Sequence, residues 1–429
     1  MILQFSVENY KTFSKKATLN MISSNYYKEE DTNLISINNK YFNFCPLRSA
    51  IIYGANASGK SKLFEAISFL QKFIFNSSKE SQAKETINID IFKLNTANRK
   101  KPAIFEIIFL YKNIQYRYGF ETTREKIESE WFFYKPKTKE IELFYRDNQT
   151  FEIHKTLFKK SKNLIDNDMV RDNVLFLSVA AQFNEILATN VMDWLKTLNV
   201  ISGIKEREFE LFTIKQLEKP KEKRKILEFL KRADLGIDDL LITNIDAESL
   251  PGNIPESLKK AIEKSKEKVK IIGDIKTVHR VYNEELLKTD ETAIFSMDNE
   301  ESSGTNKFFA LSGPILDTLE NGKILVIDEL DAKLHPLLVL HIINLFNSPI
   351  TNRKNAQLIF ASHDTNLLKY GNFRRDQIWF TEKNRYGEVE FYSLSDIKIR
   401  KDEEYEKNYI DGKYGAIPFL GNFSELFKV

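Results

Sequence analysis

The stretch Ser49-Ala50-Ile51-Ile52-Tyr53-Gly54-Ala55-Asn56-Ala57-Ser58-Gly59-Lys60-Ser61 decides how the rest of the chain is read. An apolar run of strand length ends at Gly54, and a second glycine, Gly59, stands just before a lysine and a serine. A helical pattern follows from Lys60 to about Phe75. This satisfies the P-loop pattern in the strand–turn–helix setting that it requires. Gly54, Ala55, Asn56, Ala57, Ser58, Gly59, Lys60 and Ser61 form a candidate phosphate cradle. Its glycines let backbone N–H groups wrap the anion, and the helix start adds the positive end of its dipole. Lys60 is placed to reach the β- and γ-phosphates and the Ser61 hydroxyl to ligate Mg²⁺, so the implied cofactors are ATP and Mg²⁺.

A second element belongs with the first. Ile324-Leu325-Val326-Ile327-Asp328-Glu329 is an apolar strand ending in two acids, the Walker B arrangement. Asp328 is the candidate for holding Mg²⁺ through water, and Glu329 the general base that polarises the attacking water. Further apolar runs at Gln357–Ala361 and Gln377–Phe380 alternate with helical stretches, which predicts a parallel sheet.

Elsewhere the patterns differ. The opening Leu3, Phe5 and Val7 alternate with polar residues as in a half-buried strand. The runs Ile104–Tyr111, Gln115–Glu121, Glu130–Tyr134 and Ile141–Tyr145 are separated by short polar turns and predict an antiparallel meander. Asn173–Val179 reads as one more buried strand. From about Asn184 to Asp290 the chain is rich in Lys, Glu and Leu at helical spacing, broken by Pro220, Pro251 and Pro255, and reads as a largely helical insertion. The chain between Lys60 and Asp328 is far longer than a minimal P-loop domain needs, in keeping with an inserted arm. The expected division is an N-terminal ATPase lobe over 1–183, a helical arm over 184–294 and a C-terminal lobe over 295–429. The expected fold class is thus α/β: a P-loop ATPase head with a mixed sheet, an antiparallel β subdomain and a helical insertion.

Composition narrows the setting. Lysine and arginine total 64 against 61 acidic residues, so bulk charge points to no polyanionic partner. The lysine-rich stretches Lys219–Lys225 and Lys259–Lys270 are interleaved with Glu222, Glu263 and Glu267, a pattern of i,i+4 pairs on a solvated face. The single cysteine, Cys45, excludes an internal disulfide and fits a reducing compartment. No signal-peptide pattern and no apolar run long enough to span a membrane is present, and a cytoplasmic protein is expected.

Around these motifs stand Leu330-Asp331-Ala332-Lys333-Leu334-His335-Pro336 and Phe360-Ala361-Ser362-His363-Asp364. Here the chain resembles the ABC-type ATPases of the SMC and RecF class. The resemblance implies a D-loop role for Asp331 and a γ-phosphate contact for His363. It also implies a signature loop serving the nucleotide of a second protomer, and hence a homodimer, or a higher oligomer, closed on its nucleotide sites. The candidate is Glu301-Ser302-Ser303-Gly304-Thr305, where Ser303 and Gly304 would offer donors at a helix start. The same stretch also reads as an ordinary N-cap. Gln182 falls where that class carries its Q-loop, which would make it a further nucleotide and Mg²⁺ contact, or else it is a surface glutamine.

Taken with the ending Tyr409-Ile410-Asp411-Gly412-Lys413-Tyr414-Gly415-Ala416-Ile417-Pro418-Phe419-Leu420, the motifs resemble the bacterial AAA-family ATP-binding proteins called RloA or AbiLii. Ala57 departs from the glycine often found there, and Lys62 from the usual Asn or Thr. Such proteins are associated with phage defence and abortive infection and are paired with a small RloB-like protein. Related OLD nucleases carry a Toprim domain after the ATPase, whereas the residues after His363 contain no acidic cluster of that kind. The implication is an ATPase that acts as a nucleotide-gated sensor or scaffold and controls an effector in trans. Two other readings stay open at this stage: a RecF-like repair ATPase that binds DNA, and a dimerisation switch that hydrolyses little.

Overall fold

The computed structural model describes residues 1–24, 31–80, 82, 85–204, 206–245, 271–400, 403–418 and 421–427. By its internal contacts the chain divides into two units. The first comprises residues 1–204, 317–332 and 339–429, and the second residues 205–316 and 333–338.

Two sheets build the first unit. Strands β1 (Ile2–Glu8), β2 (Ala17–Asn20), β4 (Ala103–Tyr111), β5 (Ile114–Thr122), β6 (Ile127–Lys135), β7 (Ile141–Asp147) and β8 (Thr150–Ile153) form an antiparallel sheet in the order β2-β1-β4-β5-β6-β7-β8. The meander read from alternation is present strand for strand. Lys112 and Asn113, at φ 50° and 59°, make the two-residue turn between β4 and β5, a conformation matched to strand twist. The second sheet has the order β16-β15-β3-β14-β13-β9, from β3 (Ser49–Gly54), β9 (Leu198–Ser202), β13 (Ile324–Asp328), β14 (Gln357–Ala361), β15 (Ile378–Lys383) and β16 (Val389–Ser393). All its pairings are parallel except the edge strand β16. Every residue of β3 and β14 is buried, as expected for strands covered on both faces.

Helix α1 (Lys60–Glu80) is the layer between the two sheets. One side packs on β3, β9 and β13. The other carries Phe69 and Phe73, whose rings lie 5.1 Å from Phe105 and 5.5 Å from Phe120 on the antiparallel sheet. Leu63, Ala66, Ile67, Leu70 and Ile74 are fully buried, so the helix that begins at the P-loop lysine is also the centre of the main core.

Asn173–Val179 does not form the expected strand. After α2 (Lys162–Asp166), residues Phe176–Gln182 form the short helix α3, followed by α4 (Ile186–Leu195). A buried carboxylate imposes this. Glu130 on β6 accepts from the N–H groups of Phe176 and Leu177 at 2.7 and 2.9 Å and from the Tyr118 hydroxyl at 2.9 Å. Negative charge at a helix start is favourable, and a short apolar run does not by itself distinguish strand from buried helix. Arg146, also fully buried, stands 3.6 Å from Glu130 and donates to the Val174 carbonyl at 2.6 Å.

In its described residues the insertion is less helical than its composition implies, and by internal contacts it begins later. Helix α4 and strand β9 belong to the first unit, which runs to Ile204 rather than ending at residue 183. In the second unit α5 (Glu206–Leu217) and α6 (Pro220–Lys231) precede an antiparallel sheet of β10 (Ile237–Ile245), β11 (Ile271–Tyr282) and β12 (Lys288–Ser296). Pro220 begins α6 instead of breaking it, because a first-turn residue needs no N–H. In β11 the buried Ile275 and Thr277 alternate with Lys276 and Val278, and this period of two was masked by the many charges. Pro251, Pro255 and Lys259–Lys270 lie outside the described residues. Among the described residues four more α-helices follow, α7 (Ser303–Asn321), α8 (Pro336–Asn347), α9 (Asn366–Tyr370) and α10 (Tyr405–Ile410).

Replacing Glu130 by Ala leaves the buried Arg146 charge uncompensated and the start of α3 without its acceptor. The expected loss is about 3–5 kcal/mol of stability, read by denaturant unfolding. Glu130→Gln, which keeps an acceptor, should lose less.

Candidate functional site

The site grows out of the C-terminal ends of three adjacent strands, β3, β14 and β13, where open α/β sheets place their ligands. At the end of β3 the chain must turn sharply into α1. A Cβ on Gly54 would meet the Thr381 carbonyl oxygen at 2.5 Å, and one on Gly59, at φ +109°, would meet Val389 at 2.8 Å. The turn is therefore closed to side chains at both glycines. Ala57 sits between them at φ 60°, a left-handed conformation that costs a non-glycine residue roughly 1 kcal/mol. The departure at Ala57 thus falls where glycine is the unstrained choice. The Ser58 hydroxyl lies 2.6 Å from that of Thr381, which in turn donates to the Tyr53 carbonyl at 3.2 Å. Sequence reading missed Thr381, since nothing near it marks it as a neighbour of residues 54–58.

Lys60 is buried, with 6% of its surface exposed. Its ammonium folds back over the turn and donates to the carbonyls of Gly54 and Ala55 at 2.7 and 3.2 Å. Burial is the largest influence on its pKa and lowers it, while the carboxylates of Asp328, Glu329 and Asp331 act in the opposite sense. Lys62, the other departure, pairs with Glu65 at 2.7 Å on the outer side of α1.

Across the turn, Asp328 ends β13. Burial holds its carboxyl above the ordinary range, and Glu329 adds to that; the Ser61 hydroxyl hydrogen bond and Lys60 oppose it. Asp328 Oδ1 is buried and has no partner. Glu329 has φ 55°, a strained left-handed conformation of the kind that gathers at functional sites. Gly203, just after β9, presses against this bend: its N–H donates to the Asp328 carbonyl at 2.6 Å. A Cβ there would come within 2.5 Å of the same oxygen. A lone glycine after an insertion boundary gave no signal of this contact.

Asp331 and His363 meet. The His363 N–H donates to Asp331 Oδ2 at 3.0 Å, Asp331 Oδ1 is left buried without a partner, and the His363 imidazole is exposed. A cleft of about 870 Å³ opens beside them, lined by Asn56, Ser58, His363, Thr365, Lys383 and Tyr409 among others. In the second unit, the Ser302 hydroxyl accepts from the Thr305 N–H at 3.0 Å and so caps α7. The N-cap reading thus falls on Ser302, while Ser303, exposed, and Gly304, half-buried, follow in the first turn. Gln182 is not joined to the site. It is exposed at the end of α3, which is anchored on α1 at Ile74 and Ser77, far along that helix from Lys60.

These residues fit a Mg²⁺-bound polyphosphate. The first turn of α1 leaves N–H groups unpaired by helix geometry, and a buried ammonium stands among them. Ser61 and the orphaned Asp328 oxygen supply two hard donors. No group of three or more His, Cys, Asp or Glu side chains able to hold a metal occurs among the described residues. Mg²⁺ is commonly held by one or two protein oxygens, with phosphate and water completing the shell.

Two outcomes follow. Gly203→Ala should displace the Asp328–Glu329 bend and lower stability by about 1–3 kcal/mol, measured by unfolding. Asp328→Asn should raise the melting temperature of the nucleotide-free protein at pH 7. A carboxyl whose pKa is raised on folding contributes stability that is present at low pH and lost as pH rises through the folded value. The gain over wild type should therefore shrink as pH falls toward the ordinary Asp value of 3.8.

The chain matches the family model described as "AAA domain, putative AbiEii toxin, Type IV TA system" over residues 49–369 of 429. No curated protein matches it. Among solved structures it is similar to the SMC head domain from Thermotoga maritima, at 10% identity and TM-score 0.40, covering 93% of this chain and 99% of that one. An SMC head bound to the C-terminal winged-helix domain of ScpA gives 14% identity and TM-score 0.39, covering 91% and 97%. Among the described residues no helix is long and apolar enough to cross a membrane. The matched span contains the P-loop, the strand-end acids Asp328 and Glu329, and His363, and the chain belongs to this family of AAA-domain, ATPase-like proteins.

Proposed function

We propose that the protein binds and hydrolyses ATP and that, as a nucleotide-gated sensor or scaffold of a cytoplasmic anti-phage system of the RloA or AbiLii kind, it controls an effector in trans. The observation that carries the ATPase reading is the buried Lys60 ammonium, which stands over the P-loop turn and within the field of Asp328, Glu329 and Asp331. A phosphate chain entering the turn offers that ammonium better acceptors than the two carbonyls it now uses. Ser61 and Asp328 are the residues that would hold Mg²⁺, which, when bound, supplies charge neutralisation at the phosphates. Glu329 takes the proton of the attacking water on its carboxylate, and the exposed His363 imidazole orients the terminal phosphate. Ser303 and Gly304 would complete the site from a second copy of the chain, so closure of a dimer, or of a higher oligomer, is part of the cycle.

Support for the defence role is narrower. It comes from the family description and from the resemblance of the chain's motifs, including the ending after Tyr409, to proteins paired with a small RloB-like partner. Nucleic acid is less favoured as a ligand. In the described part of the insertion, Lys225 pairs with Glu222 at 3.1 Å and Lys223 with Asp239 at 3.0 Å, the mark of a solvated mixed-charge face.

Two variants test the reading. Lys60→Ala should weaken ATP binding by at least about tenfold, as expected for losing a charge-assisted contact. A folded variant with unchanged affinity would overturn the P-loop role. Glu329→Gln should still bind ATP while turnover drops on the order of a hundredfold, with the ATP-bound oligomer accumulating in mass measurements. Unchanged turnover would place the base elsewhere.

A further inference from the structure

Tyr53 is the last side chain before the P-loop turn, and it is fully enclosed in β3. Its hydroxyl donates to the Asp364 carbonyl at 2.9 Å. The backbone N–H of the preceding residue, His363, is held by Asp331. The loop that presents the exposed imidazole is thus tethered at two successive residues, by Asp331 from the turn after β13 and by Tyr53 from β3.

The Tyr53 ring has a second neighbour. It packs at 5.5 Å against Tyr409 on α10, and Tyr409 also stacks on Phe380 of β15 at 5.5 Å. From there the chain folds back on itself. The Tyr409 hydroxyl donates to the Ala416 carbonyl at 3.1 Å, and the Tyr414 carbonyl accepts from Tyr392 of β16 at 2.7 Å. Ala416, at φ 58°, holds a left-handed bend that brings Ile417 and Pro418 to the cleft. Residues 405–418 therefore form a strap on β15 and β16, with one end supporting Tyr53 and the other lining the cavity that His363 faces.

We propose that this strap positions His363 for hydrolysis, with Tyr409 and Tyr53 as positioning residues. The inference rests on the nucleotide reading of the cleft. Tyr53 does not line the cleft, so removing its hydroxyl leaves the contacts that Lys60 and the turn offer a nucleotide in place. The placement of His363 depends on Tyr53 keeping both its hydrogen bond and its ring support. A buried phenol that loses its acceptor carries the full cost of desolvation, which keeps the 363–365 loop in place while Tyr53 is held.

The test uses the full chain with Tyr53→Phe, Tyr409→Ala and Tyr409→Phe. Turnover, affinity for a fluorescent ATP analogue, and amide hydrogen exchange over residues 362–368 are measured. Tyr53→Phe and Tyr409→Ala should each lower kcat about tenfold, and Tyr53→Phe, which alters no side chain lining the cleft, should leave nucleotide affinity within about twofold. Exchange at 363–365 should quicken in both. Tyr409→Phe keeps the ring and should restore most of the turnover. Unchanged kcat and exchange in Tyr53→Phe, a nearly isosteric change, would overturn the proposal, as would parallel losses of affinity and kcat in that variant. A wild-type chain without turnover would refute hydrolysis instead, and the exchange measurement would still decide whether the strap holds the loop.

Discussion

Everything at the site depends on keeping one ammonium out of water. Lys60 is buried at the junction of a parallel strand and the central helix, where a lone positive charge is costly. Two arrangements make it tolerable: two carbonyls within hydrogen-bond reach, and three carboxylates at and just after the end of β13. The carboxylates face a related difficulty, because Asp328 is itself held above its ordinary pKa by burial. Neither charge is fully satisfied by the protein alone. That residual frustration is what a phosphate chain with its cation can relieve, and preorganised charges of this kind need little rearrangement when ligand arrives.

Backbone strain, which also occurs in turns elsewhere in the chain, is present at the site. Ala57 in the turn, Glu329 after β13 and Ala416 in the strap all adopt left-handed conformations without being glycine. Each costs stability that a fold without a task would shed, and each aims a backbone segment at the cleft or at the strand end beside it. The remainder of the first unit supplies the surplus, through an aromatic-rich interface around α1 and a buried Glu130–Arg146 pair that is hydrogen-bonded on both sides.

What could be read from sequence was local. The P-loop was legible because glycines, lysine and serine follow one apolar strand without interruption, and the meander because its strands alternate and its turns are short. The helix at Phe176–Gln182 was not, since its identity rests on Glu130, a residue of a different strand. Strands β10 to β12 were hidden by charges on their solvent side. Gly203, Thr381, Tyr53 and Tyr409 shape the site only through contacts with residues far away in the chain, and such contacts leave no periodic trace. Gln182 was placed by analogy of order along the chain, and the geometry anchors its helix on a distant part of α1.

The order of strands also bears on how the protein is born. In the ribosomal exit sequence, β4 to β8 emerge one after another and can pair as they appear, each with its chain neighbour. Strand β3 emerges before them, yet its two partners, β14 and β15, begin only at Gln357 and Ile378. For most of synthesis the apolar run Ser49–Tyr53 has no sheet to join, and closing so long a loop is slow. An apolar strand that waits for its partners is exposed to aggregation until β14 and β15 are made. The nucleotide pocket, built on the end of β3, is thus completed only by strands that lie more than 300 residues further along the chain.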